Sequence, residues 1–119
     1  EATKALDSAL RYADSLRILK RFEETRTLLR KAIPVARRVL GEGRETTLRL
    51  RWNYAMALSP DTGATLDDIR EAVTTLEEIE RTARRVLGGA HPITTAIEHH
   101  LRVSRAKLSA RETPSPGSA

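Results

Sequence analysis

The chain has 119 residues, no cysteine and a formal net charge of +5; this length suits one core or a short helical array, and the lack of thiols leaves no disulfide framework, fitting an intracellular, cytoplasmic setting. Aromatic residues make up only 3%, so the interior must be built from Leu, Ile, Val and Ala, which suits closely approaching helices and disfavours an all-β fold. No apolar run nears the roughly 20 residues of a membrane span, and Glu1-Ala2-Thr3-Lys4 does not make a signal peptide, so no membrane partner is expected; Glu1 in place of Met is read as the start of a segment of something longer.

In chain order, Leu6, Ala9, Leu10, Ala13, Leu16 and Leu19 recur at three- and four-residue spacing and lay one stripe along a first helix. Lys20-Arg21 marks a turn. A second stripe, Phe22, Leu28, Leu29, Ala32, Ile33, Ala36, Val39 and Leu40, stops at Gly41, a residue suited to the left-handed conformation after a helix end. Pro34 inside that stripe lacks the N–H that would bond Arg30 C=O, so a kink without a break is expected. The pattern restarts with Leu48, Leu50, Trp52, Ala55 and Leu58, then halts at the turn formers Ser59-Pro60-Asp61-Thr62-Gly63. Thr65 caps a fourth helix, with Asp68 in the capping-box place, and Leu66, Ile69, Val73, Leu76, Ile79, Ala83 and Val86 supply its stripe. Gly88-Gly89 ends it. His91-Pro92 opens a fifth segment, with Pro at the first helical position and Ile93, Ala96, Ile97, Leu101 and Leu108 as its core face. From Arg111 to Ala119 no apolar residue is larger than Ala or Pro, and this stretch reads as a flexible tail or linker.

Ala36-Arg37-Arg38-Val39-Leu40-Gly41 recurs as Ala83-Arg84-Arg85-Val86-Leu87-Gly88, 47 positions later. A period of that order, carried by helical patterning, points to a solenoid whose units bury each other's apolar faces. In register, each unit reads as Leu-Gly, a short loop, a first helix with a small residue near its middle, a turn, and a second helix closing on Arg-Val-Leu-Gly. This resembles the tetratricopeptide repeats of the kinesin light chain type, whose longer repeat runs approximately L-G-x-x-H-P-x-T-L, then N-L-A, G-x-y-x-x-A and a closing v-L-G. The match covers nearly all of residues 3–110. Leu40-Gly41, Thr47-Leu48, Asn53-Tyr54-Ala55 and Gly63 fit the second unit, where Arg44-Glu45 replaces His-Pro. Leu87-Gly88, His91-Pro92 and Thr94 fit the third, where Arg102 falls at the place of the small packing residue; Tyr12-Ala13 fits the first, where Thr25 stands for the usual Ala. The middle unit is about five residues longer than the family's repeat of roughly 42, and the excess is assigned to the Ser59 to Ala64 loop.

The resemblance implies an all-α, tetratricopeptide-like right-handed α-solenoid fragment: five helices, about two and a half helix-turn-helix repeats, in units of about 1–40, 41–87 and 88–110 followed by the tail 111–119. With so few units and no polar cap, the face of the first helix carrying Leu6 and Leu10 is expected to be partly exposed, or covered by a preceding repeat or a partner. In the repeated hexapeptide Val and Leu are expected to seal the core, Gly to reverse the chain, and the arginines to face the helix C-terminal dipole.

The resemblance further implies a non-catalytic protein–protein interaction scaffold that binds a peptide or partner helix on the concave face lined by the first helix of each unit. That surface would be drawn from Arg11, Asp14 and Arg17, then Arg49, Trp52, Asn53 and Met56, then His99, His100 and Val103. Asn53 matches the family's asparagine, whose amide can pair with both the N–H and the C=O of a bound backbone; bonding between neighbouring helices is the other reading. Trp52 suits both an interface anchor and a core filler.

Other chemistry finds little support. His99 and His100 point about 100° apart on a helix, and His91 lies roughly 12 Å along the axis, so no metal is expected. Glu77, Glu78 and Glu80, with Asp67 and Asp68, read as a solvated face meeting Arg81, Arg84 and Arg85 by i, i+4 pairing. No phosphate loop, nucleophile elbow or ligand-spaced Cys/His set is present, so neither a cofactor nor enzymatic activity is expected. Residues 1–58 hold 13 basic and 7 acidic side chains, residues 59–90 hold 4 and 7. This asymmetry is compatible with an acidic protein or peptide partner, or sets neighbouring repeats against each other. A basic module binding nucleic acid or another polyanion through the N-terminal half is an alternative, disfavoured by the lack of an aromatic platform or recognition helix. A structural spacer in a larger assembly is the third.

Overall fold

Each apolar stripe becomes one helix. The computed structural model describes residues 2–60 and 63–112, which form α1 (Ala2–Ile18), α2 (Phe22–Val39), α3 (Glu45–Leu58), α4 (Leu66–Val86) and α5 (Pro92–Glu112). Each helix packs against the next in sequence, and α1 also packs against α3, within an envelope of 56 × 31 × 21 Å.

Local chemistry sets the boundaries. After α1 the chain reverses at Lys20, which takes φ 61°, while Lys20 N–H bonds Arg17 O at 2.9 Å and Arg21 N–H bonds Leu16 O at 2.8 Å. These are the two bonds of a helix-ending motif usually served by glycine. Helix α2 runs unbroken through Pro34. Thr65 Oγ accepts from Asp68 N–H at 3.0 Å and Thr65 N–H donates to the Asp68 carboxylate at 3.4 Å, so the expected capping box opens α4. Pro92 is the first residue of α5, and His91 Nδ1 accepts from Ile93 N–H at 3.1 Å, making the histidine itself the cap. Helix α5 extends through Arg111 and Glu112, where a tail is expected, and Glu112 accepts from Arg70 of α4 at 2.9 and 3.1 Å. Residues 113–119 of that expected tail, and Asp61 and Thr62 of the expected turn, lie outside the described residues.

The two hexapeptide copies end their helices alike. Ala36 O accepts from Leu40 N–H and Gly41 N–H at 2.8 and 3.1 Å, and Ala83 O from Leu87 N–H and Gly88 N–H at 2.7 and 3.2 Å. Gly41 and Gly88 then turn the chain at φ 92° and 97°. Ala36 and Ala83, not the valines, sit in the core; Val39 and Val86 are 49% and 50% exposed. The buried stripe runs from the alanine to the leucine four residues on, which leaves the valine on its margin at the last helical residue.

Helix α3 is the centre of the molecule. Its Leu48, Ala55 and Leu58 join Ala72, Val73, Leu76, Ile79 and Ala83 of α4 and Ile93, Ile97 and Leu101 of α5 in one cluster. Its Leu50 joins Leu6 and Ala13 of α1 and Leu29 and Ala36 of α2 in a second. A helix buried on nearly every side needs apolar residues all round, which is why its sequence lacks a clear polar face. Alanines at 13, 36, 55, 57, 72 and 83 are almost wholly buried and let the axes approach. Thr25 is tolerated inside because its hydroxyl donates to Arg21 O at 2.8 Å. Arg102 is exposed and does not occupy a packing position; Ser104, three residues after Leu101 on the buried stripe, does. The Leu6–Leu10 face is split: Leu6 is buried, because α3 as well as α2 covers α1, whereas Leu10 packs on the second cluster but stays partly exposed, as expected. The large apolar side chains that α1 and its following turn leave in solvent are Tyr12, Ile18 and Leu19.

Candidate functional site

Helices α1, α3 and α5 share one face, and two adjoining hollows run along it. The first, about 520 Å³, is lined by Leu10, Asp14, Arg17 and Ile18 of α1, Arg49, Trp52, Asn53 and Met56 of α3, and His100 of α5. The second, about 350 Å³, shares Arg17, Ile18, Met56 and His100 with it and continues past Phe22, Ala55, His99, Val103 and Lys107. Of the residues expected on the binding surface, Asp14, Arg17, Arg49, Trp52, Asn53, Met56, His99, His100 and Val103 are brought together in this groove. Arg11 is exposed on α1 and lines neither hollow.

Asn53 is 6% exposed, and both ends of its amide are engaged inside the molecule. Its Oδ1 accepts from Arg17 Nε at 2.8 Å and its Nδ2 donates to Arg49 O one turn back at 3.0 Å. The amide therefore aims the Arg17 guanidinium across the α1–α3 seam; Arg17 also reaches Asp14 at 3.4 Å. Arg49 meets Glu45 at 3.4 Å. Both ion pairs are partly exposed, worth little, and open to exchange for a ligand carboxylate. Asp14 is the one carboxylate among the residues lining the two hollows, against Arg17, Lys20, Arg49 and Lys107.

Trp52 packs against the α3–α4–α5 cluster, as a core filler would, and also lines the groove. Its Nε1 is buried with no hydrogen-bond partner among the described residues. The ring stands 5.4 Å from His100, tilted by 54°, and His100 stands 5.4 Å from His99. Burial, then the positive fields of His99, Arg17 and Lys107, hold the His100 imidazole below its ordinary pKa. Lys107 Nζ donates to Ser59 O at 3.1 Å and ties α5 to the end of α3 beside the groove. Ile18, 72% exposed, is an apolar groove residue absent from the sequence expectation.

The acidic face of α4 pairs differently from the expected i, i+4 scheme. Arg84 does meet Glu80 at 2.8 Å, and also Glu98 of α5. Glu77, however, pairs with Arg105 of α5 at 2.9 Å, and Glu78 with Arg51 of α3. Arg51, buried between Glu78 and Glu42, has no local signal in the sequence beyond a charge inside an apolar run. Tyr54 is similar: its hydroxyl donates to Glu71 at 2.9 Å across the α3–α4 seam, and burial raises its pKa. Among the described residues no three His, Asp or Glu side chains converge to hold a metal ion, and His91 is occupied as a helix cap. Among the described residues no helix is long and apolar enough to cross a membrane. No protein-family model matches the chain, and no curated protein and no solved structure matches it.

Proposed function

We propose that the chain is a tetratricopeptide-type solenoid fragment of the kinesin light chain-like kind, a non-catalytic scaffold that holds an extended peptide or partner helix in the α1–α3–α5 groove. The observation that carries this reading is the groove itself: alternate helices contribute its wall, and it combines apolar Leu10, Ile18, Trp52 and Met56 with cationic Arg17 and Arg49. The matched helix ends at Gly41 and Gly88 and the packing of each helix on the next support the repeat assignment. In this reading Arg49, Trp52, Met56 and His99 meet the ligand, while Asn53 positions Arg17. An excess of cations over Asp14 favours an acidic ligand.

Selection of binders from a random peptide library, followed by titration of the best one, tests this. Trp52, the sole tryptophan, should report saturation through its own fluorescence. Arg49→Ala and Met56→Ala should each weaken binding about tenfold, and the affinity should survive a rise in salt that strips polyanions. Steep salt dependence shared by unrelated polyanions would favour the basic-module alternative. Failure to select any saturating peptide would leave the spacer.

A further inference from the structure

Arg81 and Arg85 are the unexplained charges of α4. They lie one turn apart on an exposed helix face, where like charges at i, i+4 repel. The glutamates one turn before Arg81 are taken, Glu77 by Arg105 and Glu78 by the buried Arg51, and Arg85 has no glutamate three or four residues away on either side. No described residue partners either arginine. Both open into a cleft of about 420 Å³, which they share with Arg37, Arg51, Glu42 and Glu78.

The floor of this cleft is already assembled. Arg51 is held between Glu42 and Glu78, and Glu42 also accepts from Arg37 at 2.6 Å. Four guanidiniums thus face two carboxylates, both engaged, and the excess of two positive charges falls on Arg81 and Arg85. None of these residues lines the groove; Arg51 and the groove residues Trp52 and Asn53 project from α3 in different directions.

We propose that this cleft binds a small, free phosphate-type oxyanion of the pyrophosphate class. The planar, many-donor guanidinium matches phosphate oxygens, and two of them separated by about 6 Å of helix rise suit a ligand with oxygens on two centres better than a single carboxylate. The cleft lacks an aromatic side chain on which a nucleic-acid base could stack. Glu42 and Glu78 hold Arg37 and Arg51 at the floor, so the ordering that binding requires falls on Arg81 and Arg85 alone.

Isothermal titration of the whole chain with sodium pyrophosphate, at a constant ionic strength of about 0.15 M, decides the matter. One saturable site is expected, with inorganic phosphate and a phosphoserine peptide binding more weakly. The Arg81→Ala/Arg85→Ala variant should lose about tenfold or more in affinity. Arg38→Ala, at the place matching Arg85 in the first hexapeptide copy, and Arg49→Ala, in the groove, should change it less than twofold. No saturable site, equal losses in all three variants, or a loss confined to Arg49→Ala would each overturn the proposal: the last two mark diffuse attraction or binding in the groove. A phosphoserine peptide binding more tightly than pyrophosphate would overturn the assignment to a free small molecule. Should the double variant lose helicity, Arg85→Gln alone carries the same reading.

Discussion

Lys20 occupies a position that its own side chain disfavours. A non-glycine residue at φ 61° brings its Cβ against the backbone at a cost of about 1 kcal/mol, and the two bonds closing the α1–α2 turn hold it there. Lys20→Gly is therefore expected to stabilise the chain by about 0.5–1 kcal/mol in urea unfolding; a destabilised variant would show that the lysine stem contributes more than the turn costs. His100 gives a second test. The fold lowers its pKa, so the unfolded chain, with an ordinary value of about 6.5, binds the proton more readily. The stability contribution is full above that ordinary value and is lost as the pH falls through it toward the folded value. His100→Gln should flatten the decline in stability between about pH 7.5 and pH 5, and an unchanged slope in the variant would place the titrating group elsewhere.

Helix α3 shows what kind of element a sequence reveals and what it hides. The start, end and buried side of α2 and α4 are legible because a polar face alternates with an apolar one and because Gly41, Gly88 and the Thr65–Asp68 box punctuate them. Periodicity cannot reveal how α3 is shared between two clusters, since a helix covered from several sides has no distinct stripe. The groove residues on α3 were legible through the Trp52-Asn53 segment, whereas the engagement of Asn53 by Arg17 spans 36 positions and has no local trace. Arg51 with Glu78 and Tyr54 with Glu71 were hidden for the same reason. Leu50 is the fully buried residue by which α3 enters the α1–α2 cluster. Leu50→Ala should cost about 2–5 kcal/mol, and amide exchange should rise in α1 and α2 more than in α4 and α5. A uniform rise across all five helices would show instead that the two clusters open as one unit.

Across the described residues, five helices packed each on its neighbour leave alternate helices to form one wall. That wall carries aromatic, apolar and cationic side chains, while the α4 seam on other faces carries the Arg51 network. The proposed partner peptide would lie along the α1–α3–α5 wall. Backbone amide chemical-shift mapping of the labelled chain, titrated with the tightest library-selected peptide, tests it most directly. Saturable shifts are expected, grouped at Asp14, Arg17, Arg49, Trp52, Met56, His99 and His100, on three helices that are not consecutive in sequence. Shifts gathered instead on the outward faces of α2 and α4, with the groove amides unmoved at saturation, would contradict it.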